Sequence, residues 1–336
     1  MLCFLKAQGV SQKILNSFSC PIFFYLFFKY SLSFLLFHTF LLYTIIYPIT
    51  KKTVMKVDLY LSRVFRTIKK FKLVKKGDVI FAALSGGKDS ASSLFTLKKY
   101  ITENKIEATL KGFHINFCLP ISEKVQKVIE KQTKIAEVPL EVLYIKDLGI
   151  SLDEVRKKTR RPICSICGTL KRYLMNKIPR EKGATKLATG HHMDDFLVFF
   201  FKNILGKNYF WISKFKPKIE STHPKMLCKI RPLFMVGDKE NKAFCKALGI
   251  PFIEEDICPY TFFGCKIDVN REKWYQTIYD IERRHKNFRA QLISSIKDMS
   301  KFFEEKNREI KECSICREPT DQEICSFCKL FSNSLS

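Results

Sequence analysis

Ser85-Gly86-Gly87-Lys88-Asp89-Ser90 sets two glycines, a cation, a carboxylate and two hydroxyls in consecutive positions. The apolar run Val79-Ile80-Phe81-Ala82 stands ahead of it, and Ala91 to Tyr100 behind it carries Leu94 and Leu97 at helical spacing. Strand, glycine turn and helix together point free backbone N–H groups at an anion. The glycines let the chain close on a phosphate, Lys88 adds a point charge, and Ser85 and Ser90 add hydroxyl donors. A Walker A loop is excluded, because four residues would separate its first Gly from its Gly-Lys pair. Cysteines form the second chemical set. Cys164-Ser165-Ile166-Cys167 alone is compatible with zinc, an iron–sulfur centre, thiol redox or no ligand at all. Cys313/Cys316 and Cys325/Cys328 form two Cys-x-x-Cys pairs eight residues apart, which predicts a compact zinc knuckle, closed and noncatalytic. The third set is Gly190-His191-His192-Met193-Asp194-Asp195. It could suggest a metal-dependent hydrolase, but the distant partner ligands of such a site are not evident.

The segments that must position these groups alternate in character. Val57 to Lys70 has apolar residues at Val57, Leu61, Val64, Phe65 and Ile68, a helical spacing predicted to pack across the edge of a sheet. Ala108 to Asn116, Leu140 to Ile145, Thr185 to Thr189 and Pro251 to Glu255 read as further strands. Ser122 to Ala136 and Lys239 to Leu248 read as helices, the latter closed by Gly249. Strands separated by helices predict an α/β fold built on a doubly wound parallel sheet. His114 then falls at the C-terminal end of the second strand, where such sheets bind ligands. Asp153 to Arg161 reads as a polar, basic stretch, a track for an RNA backbone or a solvated loop, and Asn203 to Lys218 as an aromatic, basic insertion. Either could touch RNA, or be solvated or packed. Asn270 to Glu305 reads as one or two basic amphipathic helices.

A chain of 336 residues holds one large domain or one α/β domain with appendages. Its 59 Lys and Arg against 33 Asp and Glu give a net charge of +26, which suggests a polyanionic partner, nucleic acid or an anionic membrane surface. Thirteen cysteines in so long a chain, grouped in pairs, fit thiolate ligation in a reducing compartment better than a disulfide scaffold. Residues 1–54 stand apart. Tyr30 to Pro48 has no charged residue other than His38, long enough for a membrane-spanning helix, with Lys51, Lys52 and Lys56 favouring a cytoplasmic domain behind it. The alternative is an overlong reading frame, with Met55 as the natural start. The segment holds five lysines and no acidic residue, so the basic balance survives its removal.

Ser85-Gly86-Gly87-Lys88-Asp89-Ser90 is the signature of the PP-loop, and the chain resembles the ATP pyrophosphatase superfamily. Cys164-x-x-Cys167-Gly168 followed by Leu187-Ala188-Thr189-Gly190-His191-His192-Met193-Asp194-Asp195 narrows the resemblance to the tRNA 2-thiolation enzymes of the TtcA/TtuA group. Lys229-Ile230-Arg231-Pro232-Leu233 matches that group, and the C-terminal knuckle places the chain nearer TtuA. There are departures. The usual Asn is His192, an Ala-Glu-Thr segment is Leu197-Val198-Phe199, and an N-terminal knuckle is missing, with only Cys3 and Cys20 ahead of the domain. The resemblance implies an adenine-nucleotide α-hydrolase-like domain over 55–265, helices over 266–310 and a zinc knuckle over 311–330.

It also implies a cytoplasmic sulfurtransferase using ATP and Mg²⁺, with tRNA as substrate. Membrane association follows only if residues 1–54 are native. Ser85, Gly86, Gly87, Lys88, Asp89, Ser90, His114, Gly190 and Asp194 would bind the nucleotide and its ion. Lys171 would offset charge developing on the adenylated oxygen, and Asp195 would hold Mg²⁺ or orient the base. Cys164, Cys167 and Cys258 would hold a 4Fe–4S cluster with one iron open for sulfur, or one cysteine would carry a persulfide that another resolves. The donor would be a ubiquitin-like thiocarboxylate protein or a persulfide, and a homodimer is expected. Rival readings are another tRNA-modifying ligase, such as a lysidine synthetase, and a membrane-anchored zinc-binding RNA module with a decayed ATP site.

Overall fold

Apolar residues occupy successive positions in the central strands, as a sheet covered on both faces requires. In the computed structural model, which describes residues 47–255, 258, 269–303 and 309–331, the central strand β1 (Val79–Ala83) sends Ile80 and Ala82 to one face and Phe81 to the other. The sheet order is β3-β2-β1-β4-β6-β5, with β2 Thr109–Asn116, β3 Leu140–Tyr144, β4 Lys186–Ala188, β5 Lys218–Ile219 and β6 Cys228–Ile230. All neighbours are parallel except the edge strand β5, which is antiparallel to β6.

Contacts divide the chain into Met1–Lys56 and Val57–Ser336. Residues 1–46, with Cys3, Cys20 and nearly all of the apolar run, lie outside the described residues. No helix among the described residues is long and apolar enough to cross a membrane.

One sheet face carries α1 (Tyr47–Lys70), α2 (Lys88–Glu103), α3 (Pro120–Ala136) and, further along the chain, the helix Asp238–Ala247. The α1 residues Tyr60, Leu61, Val64 and Ile68 pack into this core, where Tyr60 stacks on Phe244 at 4.5 Å. Helix α1 thus leans on a neighbouring helix on this side of the sheet. The opposite face carries α4 (Leu152–Lys158) and α5 (Ile163–Glu181), with Ile166, Leu170 and Leu174 buried. Truncating a fully buried ring such as Phe81 would cost about 3–5 kcal/mol. A third core joins α6 (Met193–Leu205) and α7 (Tyr209–Ile212) to two C-terminal helices, Val269–Arg284 and Phe288–Met299. In chain order Asp238–Ala247 is α8 and this pair is α9 and α10.

Two expectations are corrected. Pro251 to Glu255 forms no strand. Pro251 has no N–H to donate, and Glu254 and Glu255 are drawn to Lys242, Lys246 and Lys124 on flanking helices. Asp153 to Arg161 is largely helical, because Ser151 caps α4 and Leu152 and Val155 reach the core. The strand order reverses between β1 and β4, and at such a reversal the carboxyl ends of the strands diverge and leave a crevice.

Candidate functional site

The Ser85–Ser90 loop crosses that crevice. Gly86 has φ +81°, a left-handed conformation that glycine adopts without strain. The Ser90 hydroxyl donates to Gly87 O at 3.0 Å and accepts from Ser85 N–H at 3.2 Å, which ties the loop into a closed turn. Gly87 precedes α2 with no side-chain cap, so the first N–H groups of a 16-residue helix face the crevice end. Gly190, in the turn after β4, approaches so closely that an added Cβ would lie 2.7 Å from Ser90 N. Ile253 N–H donates to Gly86 O at 3.1 Å, which fixes the loop from the other side.

Charged side chains form a web beside the loop. Lys88 Nζ lies 2.6 Å from Asp238 Oδ1 and 3.1 Å from Asp89 Oδ2. Burial opposes the Lys88 charge, but Asp89 and Asp238 outweigh it and hold its pKa above the ordinary value. Asn241 donates to Asp89 Oδ1 at 2.9 Å and accepts from Tyr60 at 2.7 Å. His192 is buried, with Nε2 3.8 Å from Asp89, 3.6 Å from Asp195 and 3.8 Å from Asp238.

Asp194 and Asp195 turn inward to the C-terminal helices. Asp194 is fully buried and accepts from Asp238 N–H, Tyr279 and Arg289 at 2.8–2.9 Å. Asp195 accepts from Tyr275 at 2.9 Å and pairs with Arg271. Burial opposes the Asp195 charge, yet His192, Arg271 and His191 lower its pKa to about 2.

A cavity of about 350 Å³ opens on the C-terminal side of β1 and β2. Its walls include Ser85, His114, Lys171 and Cys258. His114 is anchored by Nδ1, 3.0 Å from Leu84 O, and its buried Nε2 has no hydrogen-bond partner. Burial lowers the His114 pKa, the bond to Leu84 O raises it by less, and Lys171 lowers it again, so the net shift favours the neutral ring. Cys164 and Cys167 lie on the first turn of α5, and Lys171 follows Cys167 by one helical turn. Burial pushes the Cys167 thiol up, Lys171 pulls it down, and Cys258 and Cys164 push it up again, as sulfurs sharing one region do. Lys171 Nζ also lies 5.0 Å from the centre of the Phe117 ring.

Two donor sets among the described residues converge within 4.8 Å, Cys313/Cys316/Cys325/Cys328 and Asp89/His192/Asp238. The cysteine quartet suits one tetrahedral ion, whose bonds of about 2.3 Å place sulfurs roughly 3.8 Å apart. Cys316 and Cys325 lie 3.7 Å apart. Cys164, Cys167 and Cys258 do not all fall within that span, and a four-iron cluster holds its thiolates more widely than one ion does. The knuckle docks on α5. Phe327 stacks on Tyr173 at 3.7 Å, and Glu318 takes a bidentate bond from Arg180 at 2.6 and 2.8 Å.

Residues 60–257 match the model of the PP-loop domain. The chain is 37% identical to the tRNA-5-methyluridine(54) 2-sulfurtransferase of Pyrococcus horikoshii, over 80% of this chain and 83% of the relative. The enzyme of the same name from Thermotoga maritima is 31% identical, over 80% and 86%. The chain belongs to the PP-loop family. Its fold is similar to that of the U34-tRNA thiolase NcsA from Methanococcus maripaludis, solved with its [4Fe-4S] cluster. That likeness has TM-score 0.68 and 22% identity, over 82% of this chain and 89% of NcsA.

Within this PP-loop domain the crevice gathers Ser85, Gly86, Gly87, Lys88, Asp89, Ser90 and Gly190 at one end and His114, Lys171 and Cys258 along the adjoining cavity. The carboxylate that joins Asp89 beside Lys88 is Asp238, which no motif singles out. Its signal is the Gly237-Asp238-x-Glu240 start of α8, where Glu240 bonds back to Gly237 N–H at 2.6 Å. Arg271, Tyr275, Tyr279 and Arg289, which hold the Asp pair, sit on helices whose sequence shows only amphipathic spacing.

Proposed function

We propose that this protein is an ATP-dependent tRNA 2-thiolation enzyme, which adenylates the C2 oxygen of a tRNA pyrimidine and replaces that oxygen with sulfur. Uridine is the favoured base, by the names of the Pyrococcus and Thermotoga relatives. The observation that carries the proposal is one cavity lined jointly by Ser85 of the phosphate loop, Lys171 and Cys258. Phosphate grip and sulfur chemistry meet there.

The loop N–H groups, Ser85, Ser90 and Lys88 would hold the triphosphate, with pyrophosphate leaving against the N-terminus of α2. Asp89 and Asp238 are placed to hold Mg²⁺ once phosphate draws Lys88 away, since carboxylate oxygens suit that ion. The pyrimidine O2 attacks the α-phosphorus, a P–O bond forms and pyrophosphate leaves. A sulfide-level nucleophile then adds to C2, and the C2–O bond breaks to release AMP. Lys171 would stabilise negative charge on that oxygen. Neutral His114 offers its unpartnered Nε2 as an acceptor to nucleotide or base.

Cys164, Cys167 and Cys258 fit a 4Fe–4S cluster by their thiolate chemistry, and such a cluster would supply a Lewis-acidic iron to present sulfur. Asp194 and Asp195, tied to α9 and α10, would position the His192 turn rather than bind the ion directly. The knuckle cysteines would hold structural Zn²⁺. In this reading 55–265 is the catalytic body, with helices over 266–310 and the knuckle over 311–330. The enzyme acts in the cytoplasm as a homodimer and takes sulfur either from a thiocarboxylate protein, already at the sulfide level, or from a persulfide, whose outer sulfur is brought to that level by two electrons from a thiol that ends as a disulfide.

Anaerobically purified protein with ATP, Mg²⁺, sulfide and unmodified tRNA transcript tests the proposal. Expected are tRNA-dependent pyrophosphate release and a 2-thio nucleoside on mass analysis. Pyrophosphate release without thiolation would support another ligase. No release, with RNA and zinc still bound, would support the module with a decayed site.

A further inference from the structure

A second cavity, of about 400 Å³, lies between α5, α7, β6 and the knuckle. Helix α5 separates it from the catalytic cavity. Lys171 and Met175 face the first cavity, whereas Arg172, Tyr173 and Asn176, rotated by the 100° per residue of a helix, face the second.

Its walls carry two cations, Arg172 and Lys229, and two carboxylates, Glu318 and Asp321, of which Asp321 has a partner of its own. Among the described residues neither Arg172 nor Lys229 has a carboxylate partner, although both line the cavity. Burial and the nearby charges of Arg231, Arg172 and Lys214 all disfavour the Lys229 charge, a repulsion that an anion would relieve. Glu318, on the same wall, is already held by Arg180. Trp211 lines the opening with 57% of its surface exposed, although it is among the largest apolar side chains of the protein. Thr320 and Ser326 add hydroxyls from the knuckle.

Two cations that pair with neither carboxylate of the wall, an exposed indole and nearby hydroxyls match a phosphate, a base face and a base edge. We propose that this groove seats one unstacked nucleotide of the RNA substrate, its base on Trp211 and its phosphate between Arg172 and Lys229. The proposal rests on the tRNA reading above. It gives the knuckle a second task, because its Thr320 and Ser326 form one wall of the seat.

The full-length protein has two tryptophans, Trp211 and Trp274, so Trp274→Phe leaves Trp211 as the only reporter. Titration of that variant with unmodified tRNA transcript should quench its fluorescence, as base stacking does. Trp211→Ala should weaken tRNA binding about tenfold. Lys229→Ala and Arg172→Ala should each weaken binding, and together they should lower its salt dependence by about one phosphate contact. Tight tRNA binding with unchanged Trp211 fluorescence and no loss on Trp211→Ala would overturn the groove and leave the tRNA reading standing. Failure of the wild-type protein to bind tRNA at all would overturn both.

Discussion

Two sets of cysteines lean on the same helix, α5, and differ in almost every physical respect. Cys313, Cys316, Cys325 and Cys328 come from one short stretch, converge within 4.8 Å and are wholly or largely buried. Backbone N–H groups of Cys325 and Cys328 reach the sulfurs of Cys313 and Cys325 at 3.2 and 3.3 Å. Cys164 and Cys167 share one helix, Cys258 comes from about ninety positions further along the chain, and the three are exposed, buried and half-buried in turn. Cys258 lines an open cavity beside Lys171. A site that closes every coordination position can hold a shape but cannot admit a reactant. In the proposed function, openness and a neighbouring cation, rather than cysteine count, mark the set suited to chemistry.

The sharpest way to break this contrast is Cys258→Ala. Thiolation should fall by roughly a thousandfold or more, as when a unit acting together loses one member. Anaerobically bound iron should disappear, while zinc and thermal stability stay near wild type. Loss of zinc with iron retained would reverse the assignment of the two sets. Lys171→Met comes next. If its charge acts on the developing oxyanion, kcat for thiolation should drop about a hundredfold with iron content unchanged. A rise in KM at constant kcat would place Lys171 in ground-state binding instead.

Legibility followed how local each signal is. The Ser85–Ser90 loop and the knuckle are contiguous strings whose geometry is set within a few residues, so pattern alone locates them. The α/β alternation is also readable, because β1, β2 and β4 each send apolar residues to both faces and stand between helices. What escaped depends on contacts across the chain. Asp238 meets Lys88 from a helix 150 positions away in sequence. Arg271 and Arg289 hold the Asp pair from the C-terminal helices. Pro251 to Glu255 has strand-like composition, but its backbone is taken up elsewhere: Ile253 N–H bonds Gly86 O and Pro251 O accepts from Gln132. Edge strand β5, only Lys218–Ile219, is too short to leave a periodic trace.

In the proposed function, the closed set answers to stability rather than turnover. Cys316→Ser should release about one zinc per chain and lower the melting temperature, because metal binding at such a site is folding free energy. Below the new transition, iron content and kcat should match wild type. A proportional loss of iron would mean that the two sets are coupled through α5.

Arg180→Ala should have the smallest effect, because it removes a docking contact without touching either set of sulfurs. The Glu318 side chain is 9% exposed and takes both its strong bonds from Arg180. Removing the guanidinium strands a nearly buried carboxylate, which costs about 2 kcal/mol where the partner is itself partly solvated. If that stranded charge is the cause, Arg180→Ala with Glu318→Gln should recover most of the loss in denaturant midpoint. If packing of the Arg180 stem is the cause, the double variant should be no more stable than the single one. Zinc-saturated samples keep the quartet intact in both, so the difference between them isolates how firmly the closed set is clamped to the helix that carries the open one.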